Sequence, residues 1–581
     1  MKKYEQNWDS DNQITNDASN WAKYRKDMLS AFPAYQNEKS DPLAKAINKA
    51  VEAIDQLRPN GEGPAYLGSD PKLNIDFDHV KRIAMPNGMS TTEQVIDDTV
   101  ALFEGLPNWG HPLTMCNVIP QANTASIVAA VLSEIFSPNI LEGEYSWNVH
   151  RAELESAGML GNLFGWNPEN TGCLYTYGGS GCWTYHVKYA LSRVLKDSRQ
   201  KGVRTDAKVI CSHQAHYTML NSTDWMGLGM DNVIRVRTDV HTNAMDLQHL
   251  EEVLKECRDN DIPVASVVCT MGTTDANAFD PVEDVRKLLD QYPNNPEKYG
   301  KALLYCDSVV GWAWATFKEY DFEANPLQFS KEIIPSLKAN AQALAGVQYA
   351  DAIGVDFHKV GWSPYASSCF VYKDSEEFEG LLKRPGSAYL QPRSPYNPLD
   401  YTLEVSRAAT GSLAGWATMK YFGYEGFQAI LGGILENQHF LRNVLAAHTE
   451  TICVNPEDHG LVTLFRAYPE GVFAEEEYRK ELTDPAYKDQ LVRNNMLTKA
   501  IGDKLYHWFR EGKQINGRYT PYISFSTGFR VAEYNRDDTD PDAYIFALKI
   551  FPMNVHITPE IMRYAIDCVL LARDEVLSET C

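Results

Sequence analysis

Ala352-Ile353-Gly354-Val355-Asp356-Phe357-His358-Lys359 is an apolar run of strand length that ends in an acid, a histidine and a lysine. A strand buried on both faces reads as a continuous apolar run, not an alternating one. The same pattern leads into Asp307, through Ala302-Leu303-Leu304-Tyr305-Cys306, and recurs at Val209-Ile210-Cys211, Val233-Ile234-Arg235-Val236 and Val264 to Cys269. Helical stretches separate these runs. One begins near Tyr217, and Leu247, Leu250, Val253 and Leu254 mark a helix face at the three-to-four spacing. Strands alternating with helices from about Cys173 to Tyr372 predict right-handed crossovers and an α/β fold whose mostly parallel central sheet has helices on both faces. Ligands of such sheets sit at the carboxyl ends of strands, where Asp307 and Lys359 fall.

Outward from this core, residues 1–115 read as a polar, helical arm, punctuated by Pro59-Asn60-Gly61 and Pro86-Asn87-Gly88. A large domain over 116–415 and a smaller C-terminal α/β domain over 416–581 complete the expected organisation, because 581 residues exceed one ordinary core. The run Ala125 to Leu132 is too short to span a bilayer and reads as a buried helix. Between Lys383 and Asp400, three prolines and a glycine in Arg384 to Pro395 predict a long loop, with the length of a functional lid. An amphipathic helix is expected from about Pro559 to Val576.

Charge and cysteine usage bound the function. With 54 basic against 77 acidic side chains, a phosphate backbone has no net basic face to bind, which disfavours nucleic acid. The polar opening Met1 to Trp8 has no apolar signal core, so neither export nor a membrane partner is expected. Eleven cysteines without a CxxC pair suit reduced thiols in a cytoplasmic protein and no metal site.

Four segments carry candidate chemistry. Tyr177-Gly178-Gly179-Ser180-Gly181-Cys182-Trp183 opens a helix running to about Leu195, and free N–H groups at such a terminus form a phosphate cradle. A purely structural glycine turn reads the same way, and the P-loop lysine and dinucleotide spacing are absent. Asp307, at a strand end in an apolar setting, needs a cation, and a pyridinium N–H would serve. Capping the next helix is its alternative. Lys359 can lose its proton by desolvation and attack an aldehyde, or it can be a solvated surface amine. His216, just past Cys211, could lie flat on a cofactor ring, be a structural histidine, or pair with His213 on a metal.

In this order the segments resemble the group II pyridoxal-phosphate decarboxylases, the family of glutamate, aromatic-amino-acid and tyrosine decarboxylases. Asp356-Phe357-His358-Lys359 is similar to the family's Asp/Asn-Pro-His-Lys, with Phe357 in place of proline. The runs Asp356 to Tyr365 and Tyr401 to Ser406, with Trp109-Gly110-His111, look closest to the microbial tyrosine decarboxylases.

The resemblance implies the type I fold of pyridoxal-phosphate-dependent transferases, pyridoxal 5′-phosphate as cofactor, a homodimer and an amino acid substrate. It implies that Lys359 forms the Schiff base and Asp307 pairs with the pyridine nitrogen. His216 would stack on the ring. Ser180, Gly181, Cys182 and His358 would hold phosphate, and Thr273 and Thr274 would lie near the ring. The family's active-site loop falls at Arg384 to Tyr396, where Tyr389 is the candidate proton donor and Tyr365 its competitor. Two departures alter the pocket: Val309 stands where a small residue faces the ring, and Trp183 where asparagine is common.

The implied reaction is loss of the α-carboxylate from an aromatic amino acid such as tyrosine, giving amine and carbon dioxide. Alternatives are an acidic or aliphatic substrate such as aspartate or glutamate, carbon–carbon cleavage of the sphingosine-phosphate lyase type, oxidative aldehyde formation, or an inactive scaffold.

Overall fold

The computed structural model describes residues 27–28, 31–37, 41–69, 75–204, 206–385 and 394–580. The chain forms two compact units, one of 1–108 with 510–512 and one of 109–509 with 513–581. In the first, α1 (Pro42–Asp55) starts where the Asp41 carboxylate accepts from the Leu43 N–H, with Pro42 at its first position. In α2 (Thr92–Ala101) the Thr91 hydroxyl does the same for Gln94. Neither helix buries a residue.

The second unit is built on a seven-stranded sheet. Its strands are β1 (Gly172–Thr176), β2 (Lys208–Ser212), β3 (Val233–Val236), β4 (Val264–Thr270), β5 (Leu303–Asp307), β6 (Ala352–Asp356) and β7 (Ser368–Tyr372). They lie in the order β1-β7-β6-β5-β4-β2-β3. All neighbours from β6 to β3 pair in parallel, and β7 runs antiparallel to both β6 and β1. Each strand the sequence marked is present. Alternate residues feed two cores: Leu304, Cys306, Ile353 and Val355 enter one, and Leu303, Tyr305, Ala352 and Phe370 the other. Helix α3 (Thr124–Phe136) precedes α4 (Arg151–Leu163), which covers the first core with Ala157, Leu160 and Leu163. The second is covered by α5 (Gly179–Val194), which buries Cys182, Trp183, Val187, Ala190 and Leu191.

The expectation for 125–132 is half right. It is helical, as α3, but Ile127, Val128, Leu132 and Phe136 are exposed. Only one flank packs inward, where Ser126 and Ser133 are buried. An apolar run reports the need for cover and not which surface supplies it.

C-terminal to the central sheet, α6 (Thr410–Ala446) bends at Gly423, whose φ of 54° and ψ of −163° interrupt the helix. A second sheet joins β8 (Thr451–Cys453), β9 (Thr463–Ala467), β10 (Ser524–Val531) and β11 (Tyr544–Ile550) in the antiparallel order β10-β11-β9-β8. The last helix, α7 (Pro559–Thr580), extends the expected amphipathic segment by a turn.

Pairing of β5 with β6 sets Asp307 opposite Gly354. Asp356 therefore points to the same face as Asp307, toward α5, two residues further on. Gly354 is required there, because a Cβ would lie 2.2 Å from the Tyr305 hydroxyl and 3.3 Å from Cys182 Cβ. Gly354→Ala is expected to destabilise the protein by about 1–3 kcal/mol through overpacking, read as a lower urea midpoint at unchanged slope.

Candidate active site

The chain leaves β1 through Tyr177 and turns at Gly178, whose φ of 118° favours glycine, straight into α5. No side chain caps this terminus; the Gly181 N–H closes back on the Gly178 carbonyl at 2.8 Å, and the N–H groups of Gly179 and Ser180 stand at the positive end of the helix dipole. The turn is pressed against the strand ends. A Cβ on Gly179 would lie 3.3 Å from Asp356 Oδ2 and 3.5 Å from Val309 Cγ1. Gly181 serves packing, since a Cβ there would meet Thr176 Cβ at 2.6 Å. Ser180 is exposed on the first turn, but the Cys182 side chain points into the core, its sulfur 3.6 Å from Thr176 Oγ1. Burial pushes that thiol's pKa up. The expectation that Cys182 holds phosphate is corrected to this extent: its side chain cannot take part.

Asp307 is 3 % exposed. Its Oδ2 accepts from the Trp183 indole N–H at 2.9 Å, while Oδ1 is buried without a partner among the described residues. It does not cap a helix. Burial raises its pKa, and the Trp183 hydrogen bond and the nearby His216 and Lys359 pull the other way. The indole of Trp183 is thus part of the site, where sequence reasoning saw only a change of pocket shape. The available signal was its spacing: Gly179 and Trp183, four apart, share the α5 face that meets the sheet.

Asp356 accepts from Ser368 Oγ at 2.6 Å and holds Lys359 Nζ at 2.8 Å from its Oδ2. Burial would lower the Lys359 pKa, but Asp356, with help from Asp307, outweighs it and raises the value above that of an ordinary lysine. The sequence admits desolvation of this amine; the adjacent carboxylate acts against its effect. The same ion pair pulls Asp356 below the usual carboxylate range against the effect of its burial. Both ring nitrogens of His358 already have protein neighbours, Nδ1 the Ser367 carbonyl at 3.1 Å and Nε2 the Asp356 carboxylate at 3.4 Å. Burial lowers its pKa. Tyr365 packs its ring on His358 with centroids 4.1 Å apart, and burial raises its pKa.

His216 Nδ1 lies 2.6 Å from Thr218 Oγ1 and accepts from the Thr218 backbone N–H at 3.2 Å. A backbone N–H only donates, so neutral His216 carries its proton on Nε2. Burial lowers its pKa, and the charges of Asp307, Lys359 and Asp356 act on it. His213 turns elsewhere, to Asp538 at 3.1 Å and the Arg235 carbonyl. Thr273 is engaged in its own turn, its Oγ1 accepting from the Ala278 N–H at 3.0 Å. Tyr389 lies outside the described residues.

Sequence reasoning also missed a buried cluster beside the long loop. Arg407 grips both oxygens of Glu153 at 2.7 and 3.0 Å, and the Tyr396 hydroxyl donates to the same carboxylate at 2.6 Å. The far end of the loop is tied by the Arg384 N–H to the Asp400 carbonyl at 2.7 Å. Partners so distant in sequence leave no local pattern to read.

Asp356→Asn keeps the side chain's shape but removes the charge that overrides burial. It is expected to drop the Lys359 pKa below the ordinary lysine range, read as a shift to lower pH of Lys359 acylation by an amine-reactive reagent. An unchanged profile would show that Asp356 does not set the charge of this lysine.

Set against known proteins, the Pyridoxal-dependent decarboxylase conserved domain matches residues 78–300 and 333–467. L-2,4-diaminobutyrate decarboxylase of Acinetobacter baumannii is 26% identical over 283 residues, 48% of this chain and 49% of that protein. L-tyrosine decarboxylase of Enterococcus faecalis is 23% identical over 357 residues, 58% of this chain and 53% of its own. The chain thus spans about half the length of these two curated relatives. The crystal structure of mouse CSAD in apo form superposes with a TM-score of 0.72 at 15% identity, covering 91% of this chain and 98% of that one. That likeness extends the common fold well beyond the matched sequence. With the domain matched over more than half of this chain's length, including the strand end that bears Asp356 and Lys359, this chain belongs to the pyridoxal-dependent decarboxylase family.

Proposed function

We propose that the chain removes the α-carboxylate of an amino acid, using pyridoxal phosphate carried on Lys359. The observation that carries this is Asp307 Oδ1, a buried carboxylate oxygen without a partner among the described residues, on the sheet face that also bears the Lys359–Asp356 pair. The remaining residues fit the same group. The uncapped start of α5, with glycine at 178 and 179, suits a phosphate, and a pyridine N–H suits Asp307.

When bound, the cofactor supplies an aldehyde that joins covalently to an amine and a ring that accepts the electron pair released with carbon dioxide. The protein does the rest. Asp307 holds a proton on the ring nitrogen, and Lys359 is the attachment point whose charge Asp356 sets. His216, kept neutral by burial, offers a flat ring to lie on the cofactor. Tyr365, protonated at neutral pH as an ordinary tyrosine is, is the described candidate for returning a proton to the reacting carbon.

The substrate we favour is an aromatic amino acid such as tyrosine, supported by the similarity of the 356–365 run to tyrosine decarboxylases. The diaminobutyrate decarboxylase relative favours a charged amino acid as the second reading. A screen of amino acids with the purified protein and added pyridoxal phosphate decides between them. Carbon dioxide with an amine product is expected; an aldehyde product, or no carbon dioxide from any amino acid, would overturn the reading. Lys359→Ala is expected to abolish turnover and to remove the cofactor mass that borohydride reduction fixes on the Lys359 peptide. Asp307→Ala is expected to lower turnover by about a hundredfold or more, as removal of a preorganised charge does.

We further propose that the protein works as a homodimer in the cytoplasm. No helix among the described residues is long and apolar enough to cross a membrane. The ten described cysteines are all unpaired, and all but Cys453 are buried. The outer face of α3, with Ile127, Val128, Leu132 and Phe136 exposed, supports a subunit contact. Light scattering is expected to give twice the chain mass, and Leu132→Glu with Phe136→Glu to shift it toward the monomer.

A further inference from the structure

We infer that Trp183 is a positioning residue: its indole N–H occupies Oδ2 of Asp307, so that Oδ1 alone, in one orientation, is left for the ring nitrogen of the cofactor. The inference rests on the functional reading above and adds to it a residue that the chemistry does not touch.

Three observations carry it. The first is the bond itself, 2.9 Å from Nε1 to Oδ2, opposite an Oδ1 with no partner among the described residues. The second is that the indole cannot turn away. Trp183 is 2 % exposed, its edge meets Tyr305 at 5.7 Å and 72° and His186 at 5.3 Å and 76°. His186 in turn stacks on Tyr305 at 4.2 Å and 9° and is pinned by Ser266 Oγ at 2.9 Å. The third is chemical. An indole only donates, whereas an amide can flip and a hydroxyl can rotate to present an acceptor. A fixed donor never competes for the ring N–H, and it favours the charged carboxylate against the burial that disfavours it.

The test compares the full chain with Trp183→Phe and with a protein carrying β-(3-benzothienyl)alanine at 183, an indole isostere whose sulfur replaces the N–H. Each is titrated with pyridoxal phosphate by fluorescence, and the absorbance of the bound cofactor is followed against pH. Both variants are expected to bind the cofactor about tenfold or more weakly, the loss typical of a hydrogen bond to a charged group. Both are also expected to shift the ring-nitrogen transition to lower pH, because Asp307 then takes up its own proton more readily. A merely structural tryptophan would move the urea midpoint and leave that transition in place, and the isostere holds the midpoint near that of the parent. If the isostere binds with parental affinity and an unshifted spectral profile, the inference fails while the functional reading stands. If the parent protein neither binds pyridoxal phosphate nor carries it on Lys359, the functional reading fails first. Should Trp183→Phe not fold, the isostere alone decides.

Discussion

Two carboxylates buried at the ends of neighbouring strands govern this site. An ionised acid removed from water costs several kcal/mol unless it is paired, and Asp307 and Asp356 meet that demand differently. Asp356 is complete within the chain: Ser368 donates to one oxygen and the Lys359 ammonium sits on the other. Asp307 is half complete, with Trp183 on one oxygen and, among the described residues, nothing on the other. Their pKa values move apart accordingly, Asp356 down and Asp307 up. Two identical groups a strand apart thereby acquire two roles, one setting the charge of an amine and one awaiting a cation.

The fold delivers this arrangement through register and close approach. Asp307 pairs with Gly354, which fixes both acids on the face that α5 covers. A side chain at Gly354 would strike Tyr305, and one at Gly181 would strike Thr176. Either would lift the start of α5 from the strand ends. With both glycines in place, the helix N-terminus comes close enough that a Cβ on Gly179 would touch Asp356 and Val309. Behind Asp307, Trp183 meets Tyr305 and His186 edge-on, and the rings of His186 and Tyr305 stack on each other.

The strands and the strand-end residues were legible because buried parallel strands leave continuous apolar runs that stop where function begins. Lys359, Asp307, Asp356 and the glycine turn could each be placed at a sheet edge or helix start from local pattern alone. Their energetics could not. The charge of Lys359 depends on a carboxylate three residues back, a spacing that could as well belong to a helix surface pair. The role of Trp183 depends on a strand more than a hundred residues away. The Glu153–Arg407–Tyr396 cluster is wholly long-range. The apolar face of α3 shows a further limit: composition asks for burial, and this chain supplies only part of it.

The charge balance of the cluster gives the arrangement its direction. Burial lowers the pKa of both His216 and His358, so neither imidazole adds a positive charge at neutral pH. With both acids ionised, Lys359 offsets one of them, and the cluster is left one negative charge in excess. A cation at Oδ1 of Asp307 restores the balance, and by linkage its binding must lower the Asp307 pKa by as much as Asp307 favours that cation. A positively charged histidine in either place would cancel the excess and remove the reason for the cation to bind. In the proposed reading the phosphate end of the same ligand needs the opposite environment, and the uncapped α5 terminus would meet that need with backbone N–H groups instead of a charged side chain. The proposed site is therefore polarised along one axis, negative at the Asp307 carboxylate and positive at the start of α5, which favours one orientation of a zwitterionic ligand.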